Sequence, residues 1–357
     1  MSASPSPINV ADYERLANEL LAPGPNGYFN GGAADENSLR ANVAAWSQLA
    51  LRPRVCIDVG TLSTATTVLG HQLSLPILIA PTALQRMAHE DGEEAMAGAA
   101  EAAGTVMVCS TLASASLAEI GAAAPNGQRW LQLYLCRDRA VSFALVEQAV
   151  AVGATAIVVT VDAPYAGIRE RDPRSGFVVP EDLEMPGVTA ALGRSAGLTV
   201  DEFFAMVDPT LTWAALEEFI AAAPLPVLIK GIHCGEDARL ACDHGASGII
   251  VSNHGGRQLD NVAPTAHVLS EVVEAVAGRV EVLVDGGIRR GTDVCAALAL
   301  GASAVLIGRP ALWGLTVGGQ AGAEAVLEIL RHEFEISMAL LGATSPQQLT
   351  RAHVAGA

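Results

Sequence analysis

Val282-Leu-Val-Asp285-Gly-Gly-Ile-Arg289 and, further along, Ala304-Val-Leu-Ile307-Gly-Arg309 contain the fold in miniature. Each is a short β-branched run, too brief for a helix, that ends in glycine and charge. Between them Thr292 to Leu300 is Ala-rich with helical spacing of its apolar residues. Reading outward, the same unit recurs at Leu75 to Ala80, Thr105 to Cys109, Trp130 to Leu135, Ala156 to Val161, Val227 to Lys230 and Gly248 to Ser252, giving eight runs in all. Helix candidates separate them at Glu90 to Ala103, Arg139 to Val152 and Glu236 to His244. Eight parallel βα units close most naturally into a TIM (β/α)8 barrel, so the fold class expected is α/β.

Residues 1–74 precede the first run. They predict a helix over Val10 to Leu21 and a Gly- and Asn-rich turn over Gly24 to Gly32, together capping the barrel. The connection Ala163 to Thr210 is far longer than an ordinary βα loop, and its Pro, Gly and mixed charge argue against an additional domain. A lid over the active site is expected there, which leaves 1–357 as a single domain.

With 21 basic and 38 acidic residues the formal charge is −17, which argues against nucleic acid, whose binding rests on clustered Lys and Arg. A hydrophobic content of 51% beside 17% charged residues is rich for a monomer and suggests apolar surface covered between subunits. A homo-oligomer is expected. The six cysteines, at 56, 109, 136, 234, 242 and 295, are dispersed without a C-x-x-C pair and read as small core residues. His233, Cys234 and Asp237 lack a fourth ligand, so no metal is expected. The amino terminus lacks the basic and apolar regions of a secretory signal, and the carboxyl terminus has no lipidation or peroxisomal tripeptide. The longest uncharged stretch, Val59 to Gln85, is broken by Gly, Ser, Thr, His and Pro, so no membrane partner is expected and a cytoplasmic location is.

In this fold the reacting groups sit at the carboxyl ends of the strands. Collecting polar residues there yields Pro81-Thr82-Ala83, then Ser110, then Gln132 and Tyr134, then Thr160, Asp162 and Arg169. Lys230 follows, then Ser252-Asn-His254-Gly-Gly-Arg257, Asp285-Gly286-Gly287-Ile-Arg289, and Gly308-Arg309. The last two turns look like a phosphate site, since glycines let backbone N–H groups approach the oxygens while Arg289 and Arg309 add charged donors. Lys230 is the only lysine among the 21 basic residues and ends the apolar run Pro226-Val-Leu-Ile. Its placement asks for a buried anionic partner, and with the phosphate cradle it suggests a phosphorylated cofactor whose ring gains negative charge. His254 offers a base, Asp162 a carboxylate to orient it, and Arg169 with Arg257 two guanidiniums for an acidic substrate.

The segments Ser252-Asn-His-Gly-Gly-Arg-Gln-Leu-Asp260, Asp285-Gly-Gly-Ile-Arg289 and Pro81-Thr-Ala-Leu-Gln85 closely resemble the FMN-dependent α-hydroxy acid oxidase family. The resemblance runs from about Tyr28 to Leu341 and leans toward its mandelate and 4-hydroxymandelate oxidases. It implies that His254 is the base, with Asp162 pairing it as it becomes imidazolium. It further implies that Arg169 and Arg257 clamp a carboxylate, that Tyr28 and Tyr134 hydrogen-bond substrate, and that Lys230 meets the flavin N1 and O2 edge. Pro81, Thr82, Ala83, Ser110, Gln132 and Thr160 would line the isoalloxazine or ribityl chain, with Ser252 nearby. Asp285, Gly286, Gly287, Arg289, Gly308 and Arg309 would hold ribityl and phosphate.

Ala83 resembles the oxidase members, whereas several dehydrogenases carry Gly there, which favours O2 and hydrogen peroxide. At Leu112 the sequence departs from glycolate oxidases, which carry Trp; the smaller residue leaves room for a ring and points to an aromatic (S)-2-hydroxy acid unless Phe177 or Met185 fills the space. Two other readings use the same barrel. Phosphate-binding barrels also serve as isomerases and nucleotide dehydrogenases, and a barrel can hold flavin without turnover. A glycolate- or lactate-type enzyme, or a dehydrogenase with another acceptor, stands beside the aromatic reading within the family.

Overall fold

The computed structural model describes residues 7–180, 182–194 and 197–356. Met1 to Ser6, on which the reading of the amino terminus bears, lie outside the described residues. A short antiparallel hairpin, β1 (Thr66–Val68) and β2 (His71–Leu73), comes first. Eight parallel strands follow: β3 (Ile77–Ile79), β4 (Val106–Cys109), β5 (Gln128–Leu133), β6 (Ile157–Thr160), β7 (Val227–Ile232), β8 (Gly248–Val251), β9 (Glu281–Val284) and β10 (Ala304–Ile307). The barrel closes where Val305 of β10 pairs with Ile77 of β3 on one side and Val284 of β9 on the other. Each of the eight apolar runs lies on one of these strands.

Strand periodicity sorts the side chains into two cores. Ile77, Ile79, Met107, Leu131, Ile157, Val159, Ile229 and Ile249 face outward into the layer of helices. Leu78, Val106, Val108, Trp130, Val158, Leu228, Ile250, Leu283 and Leu306 face inward and fill the barrel. Val68 and Leu73 of the hairpin join this inner cluster, and the Leu69 N–H donates to the Glu281 carboxylate at the start of β9, so β1 and β2 plug the amino-terminal mouth.

One step of two residues beyond the inner apolar layer stand Ala80, Ser110, Gln132, Thr160, Lys230, Ser252, Asp285 and Gly308. The strand period therefore converts an apolar floor into a mainly polar ring at the carboxyl end. Between Lys230 and Ile232 the register of β7 against β8 slips, a bulge centred on Gly231. Gly231 has φ +109, and a Cβ there would come within 2.7 Å of the Asp162 side chain, so only glycine lets that carboxylate settle against β7.

Three helices, Val10–Leu20, Pro23–Asn30 and Asn37–Gln48, form the amino-terminal segment. The expected turn over Gly24 to Gly32 is thus largely helical. Its prolines suit a first helical turn, where their missing N–H groups cost nothing, and burial of Tyr28 and Phe29 overrides the poor propensity of its glycines. The 163–210 connection carries the short helices Arg171–Arg174, Pro186–Ala191 and Val200–Phe204. The final long helix, Arg309–Leu341, is broken by non-helical backbone at Gly318 and Gly319.

Candidate active site

A cavity of about 1140 Å³, counting its open mouth, occupies the carboxyl end of the barrel. Of the residues singled out from sequence, Tyr28, Pro81, Thr82, Ala83, Ser110, Leu112, Gln132, Tyr134, Thr160, Arg169, Lys230, His254, Arg257, Asp285, Gly286, Gly287, Arg289, Gly308 and Arg309 all line it. Asp162 and Ser252 stand just behind, each bonded to a lining residue.

Lys230 is only 4% exposed. Its Nζ donates to Ser252 Oγ at 2.9 Å and lies 3.3 Å from Asp285 Oδ2. Burial pulls the ammonium toward neutrality, but the charges of Asp285 and Asp162 outweigh it, and the net direction is upward, so the group stays charged. Ser252 Oγ also accepts from the His254 N–H at 3.0 Å, which links the ammonium to the next loop.

His254 takes φ +58, a left-handed conformation that continues through Gly255 at φ +63 and Gly256 at φ +75. Its Nδ1 meets Asp162 Oδ1 at 2.9 Å. A carboxylate acceptor there places the ring proton on Nδ1 and leaves Nε2 with its lone pair, as a base requires. Burial raises the Asp162 carboxyl, yet His254 and Lys230 together hold it below the usual carboxylate range. Asp162 Oδ2 has no partner among the described residues.

Arg169 and Arg257 bring their guanidiniums over the ring of Tyr28, at 5.5 and 5.1 Å from its centroid. Arg257 donates to the Tyr28 and Gly31 carbonyls. Burial and the like charge of Arg169 push Arg257 down to about 10. Two cations crowded in one wall repel each other, a repulsion that a bound carboxylate would relax. Tyr134, raised by burial and by Asp162, remains a neutral phenol able to donate.

The Arg289 guanidinium stacks 4.8 Å from the Trp313 ring centroid and is lowered by burial. Arg309 is lowered further, by burial and by Arg257 and Arg289. Its donors reach the carbonyls of Phe29, Gly255 and Gly31, tying the amino-terminal helices to the barrel mouth while its charge faces the cavity. Converging guanidiniums at the start of the Arg309 helix, beside Gly286, Gly287 and Gly308, match a phosphate dianion. The buried ammonium and the amide and hydroxyls of Gln132, Ser110 and Thr160 match a polar ring edge. The donor set thus fits a ribityl phosphate and an isoalloxazine.

Several contributors were not evident from sequence. Phe204, on a lid helix, lines the cavity and packs at 5.6 Å on Tyr134, while Phe177 stacks at 4.6 Å on Tyr28. Nothing in the local sequence marks Phe204, which arrives through a long connection; Phe177, named from sequence as a possible filler of the pocket, packs on Tyr28 instead, and neither it nor Met185 is among the residues lining the cavity. Glu93 is fully buried and accepts from the Gln85 N–H, the Ser114 N–H and Ser114 Oγ, clamping together the loops that carry Pro81 to Ala83 and Ser110 to Leu112. An acidic residue in a first helical turn is ordinary, so only its burial reveals it. His233 contacts the Ala263 carbonyl, and Cys234 donates to Asp237.

The FMN-dependent dehydrogenase family matches residues 17–356. An L-lactate oxidase of Nostoc sp. is 47% identical over 358 residues, covering 98% of both chains. Glycolate oxidase 3 of Arabidopsis thaliana is 45% identical over 351 residues, covering 97% of this chain and 95% of its own. Among solved structures, mandelate oxidase with (S)-4-hydroxymandelic acid superposes with a TM-score of 0.90 at 43% identity over 98% of each chain. A lactate oxidase of Pediococcus acidilactici gives 0.92 at 34% identity, over 98% of this chain and 95% of that one. Similarity of this extent, running through the whole barrel and the connections that frame its mouth, places the chain in the FMN-dependent dehydrogenase family as an FMN-dependent hydroxy acid oxidase.

Proposed function

We propose that the enzyme oxidises an aromatic (S)-2-hydroxy acid, mandelate or 4-hydroxymandelate, to the 2-oxo acid and passes the two electrons and two protons to O2, forming hydrogen peroxide. Leu112 carries this reading. It lies in the cavity wall, 3% exposed, where glycolate oxidases hold a larger Trp, and the space so released suits a ring. Solved mandelate oxidases bound to (S)-mandelic and (S)-4-hydroxymandelic acids share 42% and 43% identity with this chain.

Arg169 and Arg257 bind the substrate carboxylate, and Tyr28 and Tyr134 hydrogen-bond its oxygens. His254 Nε2 accepts the proton, and Asp162 stabilises the resulting imidazolium. FMN, when bound, supplies the two-electron acceptor. Pro81, Thr82, Ala83, Ser110, Gln132, Thr160 and Ser252 would hold its ring and Lys230 its N1 edge. Asp285, Gly286, Gly287, Arg289, Gly308 and Arg309 would hold the ribityl phosphate. The lid contributes Arg169 and Phe204 to the wall of the site.

A second reading, glycolate or lactate, is favoured by the L-lactate and glycolate oxidases among the relatives and by the aromatic wall of Phe204. Anaerobic stopped-flow reduction with mandelate, 4-hydroxymandelate, lactate and glycolate decides between them. Faster bleaching by the small acids would remove the aromatic reading, and absence of peroxide on admitting air would remove O2 as acceptor. We also propose a cytoplasmic homotetramer without membrane or nucleic-acid partners. The high exposure of Tyr165, Ile168 and Leu259 supports subunit contacts, and light scattering at monomer mass would refute them.

A further inference from the structure

Gln258 lines the cavity directly after the Arg257 guanidinium, yet its amide is directed at backbone. Its Nε2 donates to the Asp162 carbonyl at 3.1 Å and to the Tyr165 carbonyl at 2.9 Å, and its Oε1 accepts from the Gly167 N–H at 3.1 Å. All of these contacts fall on one segment, 162–167. That segment begins with the carboxylate that orients His254 and runs into Arg169, the second guanidinium. It is also the first part of the long connection and has no strand or helix of its own.

Gly167 reinforces the contact. A Cβ at this position would sit 2.7 and 2.8 Å from the Gln258 carbonyl oxygen and Cα, and closer still to the Arg257 carbonyl oxygen, so the two backbones touch. On its other side, the loop of Gln258 is fixed by Asp260, which accepts from the Ser38 N–H at 2.7 Å and the Asn37 N–H at 3.2 Å. The segment bearing Arg169 is thereby bonded to the loop bearing Arg257, and that loop to the amino-terminal helices.

We infer that Gln258 is a positioning residue that sets the separation and orientation of the Arg169 and Arg257 guanidiniums, and so tunes carboxylate recognition through the start of the lid rather than by touching the carboxylate itself. The inference rests on those two arginines forming the carboxylate clamp. A connection with no strand or helix cannot hold one guanidinium beside another without an anchor, because backbone entropy opposes any single geometry. One amide that satisfies two carbonyls and an N–H supplies that anchor on the Arg257 side, beside the Ala34 N–H that donates to the Ile168 carbonyl and the Asp172 carboxylate 3.5 Å from Arg169.

The test is a double-mutant cycle on the FMN-loaded protein, titrating phenylglyoxylate and following the flavin absorbance. Gln258→Met keeps the length and removes the hydrogen bonds; it should weaken binding about tenfold, since misplacement of a positioning group by about 1 Å can cost up to about a hundredfold. In an Arg169→Met background the same change should cost less than about twofold, because the group it positions is gone. Unchanged affinity in the single variant, or equal losses in both backgrounds, overturns the inference. If Arg169→Met alone leaves affinity intact, the clamp reading falls, and the role of Gln258 with it. Should Gln258→Met fail to fold, Gln258→Glu retains the Gly167 acceptor, removes both donors, and is judged by the same criteria; failure of both to bind FMN would make Gln258 a folding determinant instead.

Discussion

Replacing Lys230 by Met removes the ammonium at nearly constant side-chain length and so isolates its charge. At an effective dielectric of about 20, a unit pair at the observed 3.3 Å attracts by about 332/(20 × 3.3), or about 5 kcal/mol, before any cost of burial. The variant leaves Asp285 worse off than that figure alone implies. Its Oδ1 already lacks a partner among the described residues, and Oδ2 would lose its cation, stranding a carboxylate that is 6% exposed. Breaking one side of a buried pair costs about 3–5 kcal/mol, and we expect the FMN-free protein to lose about that much in urea unfolding. A Lys230→Met/Asp285→Asn double variant should recover part of it, since the stranded charge is then gone. The pH dependence follows in sign. With its folded value raised above the ordinary lysine one, Lys230 contributes fully below the ordinary value and loses that contribution only as pH rises through the raised one. The gap between wild type and the single variant should therefore stay constant from about pH 6 to about pH 9. A single variant within about 1 kcal/mol of wild type, or no recovery in the double, would refute the account of Lys230 as a charge held by Asp285.

Replacing His254 by Ala should leave flavin bound and slow its anaerobic reduction by about 10²–10⁴-fold, and unchanged reduction would remove it from the base role. Asp162→Asn should destabilise the protein by an amount that is constant above the usual carboxylate range. Because the folded value is lowered, that difference should close only as pH falls through it, which melting curves between about pH 3 and 7 would reveal. Leu112→Trp should reduce kcat/KM for mandelate more than for glycolate, and equal losses would show that this position does not set substrate size.

The barrel was legible because its strands are short, β-branched and buried on both faces, while the helices between them are Ala-rich and longer. The polar ring was legible for the same reason: a residue two positions past an inward apolar one must point into the mouth, and that rule alone finds Ser110, Gln132, Thr160, Lys230, Ser252 and Asp285. Whatever lies off that period escaped. Pro23–Asn30 reads as a turn because glycine lowers helix propensity, and only its burial against the barrel makes it helical. Phe204 reaches the cavity through a connection whose path no local pattern dictates. Gln258 sits inside a motif whose charged members draw attention, yet its bonds reach residues about ninety positions away.

Floor and ring are set by the same eight short strands, each of which either carries its ring member or ends one residue before it, offset by a single pleat. Losing or gaining one residue within any strand would turn its member of the ring outward beneath the helices and drop a hydrophobe among the reacting groups. Length changes in the loops beyond the strands carry no such penalty. New substrate preferences in this scaffold should therefore arise by lengthening, shortening or recolouring the connections around the rim, while the strands tolerate exchange of side chains but not a change in their number.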